Sequence, residues 1–482
     1  MKALTSPTPD EGWDLPEIPP PSARRSWSVR GRLWTLTLLA VLLAVSASGG
    51  LVLGAERLRT AAQRAQQAAA QAFAATDLYG SLGALDSRLA ELSLVGREPI
   101  GGGPDAALRD FEAARGRAVA DLGRLTAAAR TSEDRRESRA IADGLSRYTA
   151  LAGQAVALDR QAAHPAGRPP APVLERQREA TDLMHRTLLP TVQRMIKTAA
   201  ARVDRAHAEG DAGADAALRT AILAGTALVM VLVALQILLA RRHRRLLNPA
   251  LAVACVVAAA LPLVGAAQPT AERSRLRDVR TGAFVPALEL AEVRAIGRDA
   301  FGDQSRAIID PAREAHYRQE LMAKNRQVAW ARVGQGEDVT SALHRALDEN
   351  TGGGPPDFGG RLGAALNVPA RPGGQALADD VLAKLRVHLD RAAAVRALPE
   401  KDLPSRAELL VADASWGEGY AFERYDVALT DLLAFHDRHY QASVAATEDH
   451  LRGRTGGPLW AGAAVLALLL VGLRPRLAEY RR

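Results

Sequence analysis

Four long apolar runs divide this chain of 482 residues. They occupy positions 33–55, 220–240, 249–267 and 458–473, and none of them contains an acidic or basic residue. The runs hold about 16–23 residues each, so all are long enough, or in the last case nearly long enough, to cross a hydrocarbon core of about 30 Å as helices. The sequence therefore predicts an integral membrane protein with four transmembrane helices.

Clusters of arginine flank three of these runs and predict their orientation. Because basic residues are retained on the cytoplasmic side, every cluster faces the cytoplasm if the chain crosses outward, inward, outward and inward. Both tails (1–32 and 474–482) and the connector at 241–248 are then cytoplasmic, and the segments 56–219 and 268–457 lie outside the cell membrane. The clusters consist of Arg24, Arg25, Arg30 and Arg32, of Arg241, Arg242, Arg244 and Arg245, and of Arg474, Arg476, Arg481 and Arg482.

Charge and cysteine content narrow the class of protein further. The formal net charge is +8 at pH 7, but most of the excess lies in the arginine clusters, and no stripe of basic and aromatic residues accompanies it. We therefore expect membrane lipid, and no nucleic acid, as a partner. Because Cys255 is the one cysteine, it cannot form an intramolecular disulfide, and the external segments must be stabilised by packing. The tail 1–32 is rich in proline and too poor in apolar residues to order itself.

The first external segment has the composition and periodicity of long helices. Leucines recur at spacings of three and four along a predicted first helix at 56–95, which the glycine-rich turn Gly101–Pro104 ends. Further helices are predicted at about 105–130, 133–161 and 173–208, with a weak interruption before the second apolar run. Four helices joined by short turns predict an antiparallel four-helix bundle.

The second external segment repeats this plan. Its four helices are predicted at about 271–309, 311–333, 377–398 and 405–450, and a glycine-rich insertion at Asn350–Gly374 is expected to be irregular. The two segments open with similar charged sequences about 216 positions apart, which indicates an internal duplication. The expected fold class is therefore all-α, with four transmembrane helices and two extracytoplasmic antiparallel four-helix bundles packed in the manner of coiled coils.

This layout of span, four helices and span resembles the periplasmic sensory bundles of methyl-accepting chemotaxis receptors and bacterial sensor kinases. The chain carries no kinase, cyclase or receiver motif, so its output must pass to another protein. A duplicated bundle with four spans and no output domain is similar to the actinobacterial GlnX-type membrane relay proteins. That resemblance implies amino-acid sensing through an extracytoplasmic amino-acid-binding lipoprotein, with a soluble cytoplasmic Ser/Thr protein kinase as the second partner. The resemblance does not decide whether the protein forms a homodimer.

Other function classes receive little support. The chain has no glycine-rich phosphate loop with lysine, no His-Glu-x-x-His, no Gly-x-Ser-x-Gly and no paired cysteines, so we expect neither enzymatic activity nor a cofactor. A carrier would place ionisable groups at the membrane midplane, and the four runs have none. His436 and His439 lie about one helical turn apart but lack a third ligand, so an exposed helix surface is expected there and not a metal site.

Counting residues upward from the membrane places polar side chains at similar heights on different helices. At 1.5 Å per residue, Arg88 on the first helix and His185 on the fourth reach the same level, and Asp86, Thr181 and Asp182 lie beside them. The chemoreceptor resemblance implies that an amino acid binds at this level between the first and fourth helices. Arginine suits that role because its planar guanidinium forms two parallel bonds with a carboxylate.

The same count in the second segment brings Arg306 near Tyr420, Glu423 and Arg424. The alternative interpretation of both groups is ordinary solvent-exposed helix surface. An external binding protein would instead contact the end of the bundles far from the membrane. The candidate contacts there are the two glycine-rich loops, Gly101–Pro104 and Asn350–Gly374. The candidate ligand-binding residues are therefore Asp86, Arg88, Thr181, His185, Arg306, Tyr420 and Arg424.

The sequence thus predicts a membrane sensor or signal relay. An external ligand, or a ligand-loaded binding protein, would shift a bundle helix, and the attached span would transmit the shift to a cytoplasmic partner. The candidate contacts for that partner are the two tails and the arginines Arg241, Arg242, Arg244 and Arg245. The alternative is a cell-envelope scaffold that anchors a partner at the membrane without signalling.

Overall fold

The architecture is helical throughout the part of the chain that the structure, a computed structural model, describes. That part comprises residues 29–243, 249–260, 277–334, 339–349, 357–368, 372–412, 415–454 and 456–479. Within it no β-strand forms, and the one isolated β-bridge joins Trp330 to Gly359. The all-α prediction is confirmed. The tail predicted at 1–32 lies almost entirely outside the described residues.

In the described part of the first half the chain forms five α-helices, a 3₁₀ turn at Ile100–Gly102 and one π-helical turn. The π-helical turn, Met184–Leu188, joins the fourth helix to the fifth. The interruption predicted near Gly210 is absent, and the fifth helix is continuous there. Gly210 instead permits a close contact with the first helix, since a Cβ at this position would lie 2.9 Å from that of Ala61. The helices are α1 (Val29–Val95), α2 (Gly103–Ala128), α3 (Ser132–Gln161), α4 (Ala171–Leu183) and α5 (Leu189–His243).

The boundaries of these helices follow from local chemistry. Gly102 and Gly103 adopt positive φ angles in the turn before α2, a conformation that other residues rarely take. At the start of α3, the Thr131 side chain accepts a hydrogen bond from the Asp134 amide, and the Asp134 carboxylate accepts one from the Thr131 amide. This capping box satisfies two amides that a helix start would otherwise leave unpaired.

The second half has more and shorter helices than the sequence predicts. A second π-helical turn, Arg280–Phe284, precedes α7, and the predicted fourth helix divides into α12 and α13. The short helix α10 lies inside the insertion that was expected to be irregular. The helices are α6 (Pro249–Ala260), α7 (Val285–Ile309), α8 (Glu314–Val328), α9 (Val339–Glu349), α10 (Gly360–Leu366), α11 (Gly374–Ala397), α12 (Leu403–Val411), α13 (Glu418–Arg454) and α14 (Gly456–Glu479).

The chain divides into two compact units. The apolar unit draws on Met1–Leu51, Arg219–Val264 and Gly457–Arg482, and the large unit on Val52–Leu218 and Gly265–Gly456. Within the apolar unit, parts of α1, α5, α6 and α14 share one buried core of alanine, leucine and valine side chains. Its outer surface is also apolar, since large side chains remain exposed there: Leu38, Leu223, Trp460 and Leu470.

Among the residues that the structure describes, two helices are long and apolar enough to cross a membrane, and they lie within Gly31–Val95 and Ala171–Arg241. The apolar helices at Pro249–Ala260 and Leu459–Gly472 are shorter than a full span. Exposed leucine and tryptophan on an apolar helical cluster is the pattern expected of a surface that faces lipid. The structure therefore indicates association with a membrane.

The most extensive buried core of the large unit draws on both of the segments that are predicted to be external. Buried residues from the first half, such as Leu82 and Leu145, belong to the same cluster as Leu290, Leu385 and Leu432 from the second half. The sequence suggests two bundles with separate cores, whereas the structure joins the two segments over a shared apolar surface. We call the boundary between the halves the seam.

At the seam, equivalent helices of the two halves meet side by side. A Cβ at Gly80 would lie 3.5 Å from that of Ala295, and one at Gly83 would lie 3.3 Å from that of Asp299. These two pairs are 215 and 216 positions apart, which equals the offset of the proposed duplication. Helices α1 and α7 therefore run parallel at matching heights, and glycines allow their backbones to approach closely.

Candidate functional site

Six ionisable side chains converge where α1 meets α7, and five of them are buried. Each of these five is at most 8 % exposed. Burial of so many charges is costly unless every one is paired, so the arrangement must be specific. We call the group the seam cluster; it consists of Asp86 from α1, His185 from the π-helical turn, Asp299, Asp303 and Arg306 from α7, and Lys324 from α8.

Arg306 lies at the centre of the seam cluster and joins the two halves. Its Nη2 donates a hydrogen bond of 2.6 Å to Oδ2 of Asp86 on α1. Its Nη1 donates to Oδ1 of Asp303 one turn earlier on α7, and lies 3.6 Å from Oδ1 of Asp299. One guanidinium thus pairs with three carboxylates, one of which belongs to the other half.

Lys324 supplies the second fixed cation. Its Nζ lies 2.6 Å from Oδ2 of Asp299 and 2.6 Å from Oδ2 of Asp303. These contacts connect α8 to α7 and place an ammonium between two carboxylates that would otherwise repel each other. Three carboxylates then face two fixed cations.

Asp86 also receives two neutral hydrogen bonds from its own half. Its Oδ1 accepts from the Tyr148 hydroxyl at 3.0 Å and from Thr181 Oγ1 at 3.1 Å. Tyr148 lies on α3 and Thr181 on α4, so this carboxylate connects three helices of the first half to Arg306. A displacement of α7 relative to α1 would have to break a charged bond in a site that water does not reach.

His185 is the one member of the seam cluster that reaches solvent. Its side chain is 25 % exposed, and its Nε2 lies 3.4 Å from Oδ2 of Asp86 and 3.4 Å from Oδ1 of Asp299. These contacts are ion-pair distances without hydrogen-bond geometry, and both Nε2 and Asp299 Oδ1 have no hydrogen-bond partner. The π-helical turn holds His185, and such turns are frequent at functional sites.

The charges hold one another in their ionised forms. Burial would raise the pKa of Asp86 and of Asp299, but the cations around them outweigh burial and lower both pKa values. Burial would likewise lower the pKa of Arg306 and of Lys324, and the carboxylates raise both. These four side chains therefore carry full charges in a medium that strengthens their attraction.

The residues fit a protein cation better than a metal ion. His185, Asp299 and Asp303 offer three potential ligand atoms within 4.8 Å of one another. The Lys324 ammonium, however, already contacts both carboxylates at 2.6 Å. A divalent ion would have to displace it, so the arrangement gives no support for a metal in this place.

The structure brings together four of the seven candidate ligand-binding residues. Asp86, Thr181, His185 and Arg306 are all part of the seam cluster or bonded to it. The two groups that the sequence places in separate halves thus meet across the seam, because α1 packs against α7.

The other candidates lie elsewhere. Arg88 is partly exposed and pairs with Glu91 at 2.6 Å and with Asp110 at 3.6 Å. Tyr420 and Arg424 are exposed on α13. Arg241 is exposed near the end of α5. The partner-contact candidates Arg242, Arg244 and Arg245 fall outside the residues whose side chains the structure describes.

Four residues of this site are absent from the sequence-based candidates: Tyr148, Asp299, Asp303 and Lys324. A signal was present for two of them. Asp299, Asp303 and Arg306 follow one another at spacings of four and three, so they form a charged stripe along one face of α7. Tyr148 and Lys324 enter the site only through the packing of distant helices.

Two further charged pairs cross the seam just beyond the C-terminal end of α7. Arg178 on α4 forms two hydrogen bonds with the buried Asp310, of 2.7 and 2.5 Å. Arg313 donates to Asp182 at 2.9 Å. This second pair is about one third exposed, so it is the weaker of the two, and both pairs continue the contact between the halves.

A second buried polar group lies within the second half. The Glu418 side chain is fully buried, and its Oε1 accepts a hydrogen bond of 2.7 Å from Gln304. The largely buried His388 lies 3.9 Å from the same oxygen. Burial raises the pKa of Glu418 to about 8, and burial together with Arg396 lowers the pKa of His388 to about 4.

Comparison with known proteins bears on the first half. The family model of an actinobacterial sensor domain matches residues 50–208. This part of the chain is similar to that sensor domain. The match includes Asp86, Tyr148, Thr181 and His185 of the site, and ends before α7. No curated protein and no solved structure matches the chain significantly.

Proposed function

We propose that this protein is a membrane sensor and signal relay that passes the state of an external ligand to a cytoplasmic partner. The single observation that carries the proposal is the match of residues 50–208 to an actinobacterial sensor domain. Helices α1 and α5, which begin and end that region, each continue without a break into an apolar run. A continuous helix is a direct mechanical connection between a sensing region and a membrane.

The proposal includes a multi-pass topology. The four apolar helical segments of the apolar unit would all span the cell membrane, with both termini and the connector at 241–248 in the cytoplasm. The large unit would lie outside, as two four-helix bundles from a duplicated ancestor that pack along the seam. The alternating positions of the arginine clusters support this orientation.

The seam cluster supplies the element that a relay requires. Packed helices shift in small discrete steps, and a ligand biases such a step only if it binds one arrangement more tightly. Buried charges that are paired across α1 and α7 favour one relative position of these helices. We propose that ligand-induced movement at the seam displaces α1 or α5, and that the attached membrane helix transmits the displacement.

The proposed partners are those that the resemblance to GlnX-type membrane relay proteins implies. An extracytoplasmic amino-acid-binding lipoprotein would supply the signal, and a cytoplasmic Ser/Thr protein kinase would receive it at the tails or at Arg241 and its neighbours. No catalytic residue is assigned to this chain. A non-signalling envelope scaffold is the alternative, and a stable seam alone would also suit that role.

Topology is tested first, with single cysteines in a Cys255→Ser background. Asp143 on α3 and Asp379 on α11 are both exposed, so Asp143→Cys and Asp379→Cys should react with an impermeant maleimide on intact cells. A cysteine placed in the tail at Ser6 should react only after lysis. Protection of either external cysteine in intact cells would overturn the topology and the relay with it.

Relay and scaffold are distinguished by changing the seam without changing partner-binding surfaces. Phosphorylation of the kinase's cytoplasmic substrates would be measured in cells exposed to external glutamate and aspartate. Arg306→Gln should abolish the response while the chain still co-purifies with its partners. The exposed Arg109→Gln is the matched control and should respond normally. A scaffold predicts no difference between these variants as long as both partners stay bound.

A further inference from the structure

A cavity lined by four arginines lies in the first half, apart from the seam cluster. Its volume is about 250 Å³. It opens between α1, the turn that joins α2 to α3, and α5. The lining residues that carry charge are Arg64 from α1, Arg130 from the turn, and Arg202, Arg205 and Glu209 from α5.

Two of the four guanidiniums already have carboxylate partners. Arg202 Nη1 lies 2.8 Å from Oδ1 of Asp134 and donates a 2.9 Å hydrogen bond to Gln71. Arg64 lies 3.4 Å from Oε2 of Glu209, in an exposed pair that joins α1 to α5. Asp134 stays ionised at neutral pH, since hydrogen bonds from Thr131 and Arg202 outweigh burial and lower its pKa to about 2.

The other two guanidiniums, those of Arg130 and Arg205, belong to exposed side chains. Among the described residues neither side chain forms an ion pair, and Arg205 Nε donates a hydrogen bond of 3.3 Å to the carbonyl oxygen of Ala201. The cavity therefore carries about two uncompensated positive charges next to neutral hydrogen-bonding groups, the Gln67 amide and the Thr131 hydroxyl. The Thr131 and Asp134 side chains cap the start of α3, so the helix N-terminus is already satisfied and the guanidiniums are the attractive groups.

We propose that this cavity binds a small dianion through its carboxylate or phosphate oxygens. Two uncompensated guanidiniums balance two negative charges, and arginine forms paired hydrogen bonds with both kinds of oxyanion. A volume of about 250 Å³ accommodates a molecule of a few heavy atoms or the head of a phospholipid. We call the cavity the anion pocket.

Because of its position, anion binding in the anion pocket would act on the helices that continue into the apolar runs. The anion pocket contacts α1 and α5, the two helices that continue into apolar runs, and an oxyanion between Arg130 and Arg205 would attach α5 to the turn before α3. Gln67 lies about 12 residues beyond the first apolar run, or about 18 Å along a helix. The head-group layer extends only about 5–8 Å beyond the hydrocarbon core, so that distance suits a soluble anion better than a lipid head group. The regulatory effect of anion binding on the membrane helices rests on the proposed function, whereas anion binding does not.

The test uses the full chain in nanodiscs of phosphatidylcholine. Inorganic phosphate and succinate would be titrated by calorimetry against sodium chloride at equal ionic strength, and the thermal midpoint would be followed in parallel because a ligand of the folded state raises it. A second set of nanodiscs would contain phosphatidylglycerol without added anion. Saturable binding of phosphate or succinate identifies a soluble anion, and a midpoint raised only by phosphatidylglycerol identifies a lipid head group.

The variants decide whether the effect belongs to the anion pocket. Arg130→Gln combined with Arg205→Gln should weaken binding by about tenfold or more, or abolish the lipid-dependent rise. Arg205→Lys should retain part of it, because the charge remains without the planar guanidinium. Arg109→Gln, which removes an exposed arginine of α2 outside the cavity, should change affinity by less than about twofold.

Two results would overturn the proposal. One is that neither anion nor anionic lipid acts on the unaltered chain. The other is that Arg109→Gln weakens binding as much as the double variant, since general charge screening would then explain the effect. If the protein binds the anion but external amino acids do not change phosphorylation of the kinase substrates, the relay is contradicted and the anion pocket is not. If phosphorylation responds but the protein binds no anion, only the anion pocket is contradicted.

Discussion

The Asp86 carboxylate shows how a single residue can hold two halves of a chain together. It accepts two hydrogen bonds from its own half and one charged bond from Arg306 of the other. Asp86→Asn would keep the shape and remove the charge. Because removal of one partner of a buried ion pair leaves the other uncompensated, we expect the free energy of unfolding to fall by about 3 kcal/mol.

The matched control is Asp77→Asn, also on α1. Its side chain is partly exposed, and its nearest cation is Arg124 at 4.0 Å, so the loss should stay below about 1 kcal/mol. Both variants would be unfolded with denaturant in nanodiscs and followed by circular dichroism at the helical band. Equal losses in the two variants would show that the seam cluster does not stabilise the large unit.

Glu418 gives a pH dependence whose sign can be worked out. Its pKa is about 8 in the folded chain against an ordinary value of 4.5, so the folded state holds an extra proton between these limits, and stability falls as pH rises. Between pH 6.5 and 8 the loss should be about 2 kcal/mol. Below pH 6.5 His388 acts in the opposite direction, because its depressed pKa of about 4 means that stability falls as pH decreases.

Glu418→Gln should remove the alkaline loss, because glutamine resembles the protonated side chain at every pH. The measurement is the difference in unfolding free energy between the variant and the unaltered chain at pH 6.5 and at pH 8. We expect the difference to move in favour of the variant as pH rises. A difference that stays constant over this range would mean that Glu418 titrates at its ordinary value.

Residue-level prediction from the sequence succeeded where one helix sets the height of a side chain. Counting along α1 and the predicted fourth helix brought Asp86, Thr181 and His185 to one level, and the structure places them together. The count could not bring in Lys324, because α8 reaches the site through packing between halves. It also misplaced Arg88, since height along a helix does not determine which face a side chain occupies.

At the scale of elements, the contact between α1 and α7 depends on glycine. A Cβ on Gly302 would lie 3.0 Å from Ser87 Cβ and 2.9 Å from Arg306 Nη2, which is closer than side chains normally pack. A Cβ on Gly80 would meet Ala295 at 3.5 Å, an ordinary contact. The two glycines therefore have different packing space at the same interface.

Gly302→Ala should reduce stability by about 1–3 kcal/mol, because α7 or Arg306 must move. Gly80→Ala should be neutral or gain up to about 1 kcal/mol, since alanine is the better helix former and finds room. Alanine improves helix propensity at both positions. A loss of stability in one variant and a gain in the other would therefore come from the difference in packing. Thermal unfolding of the two variants would measure it, and a loss in Gly80→Ala as large as in Gly302→Ala would contradict the contact geometry.

The sequence predicts the long helices well, because strong propensity and a glycine or proline turn fix both ends. The boundaries of α3 and α11 differ from prediction by only a few residues. It fails at the π-helical turn Met184–Leu188, where one extra residue per turn leaves the apolar periodicity almost unchanged. It also merges α12 with α13, since the helix formers on both sides of residues 412–417 conceal the break.

At the scale of the whole molecule, the seam is a feature that neither half shows alone. Each half has its own helices, but the seam places apolar side chains and buried charges of one half against those of the other. The sequence indicates that the halves are related and gives no direct sign that they pack together. Contacts between residues more than 200 positions apart leave no local periodicity, so they had to come from the structure.

The seam predicts that neither half is stable alone and that the two reassociate. Cutting the chain within the connector gives the fragments 1–246 and 247–482. Expressed together, with an affinity tag on the first, they should co-purify from detergent, whereas the first fragment alone should aggregate because Asp86 loses Arg306 and an apolar surface becomes exposed. Gly302→Leu in the second fragment should lower its recovery several-fold, and Gly80→Ala in the first should not. Because these substitutions lie in the large unit, unchanged recovery with Gly302→Leu would mean that the apolar helices alone hold the fragments together, and that the seam does not determine how the halves associate.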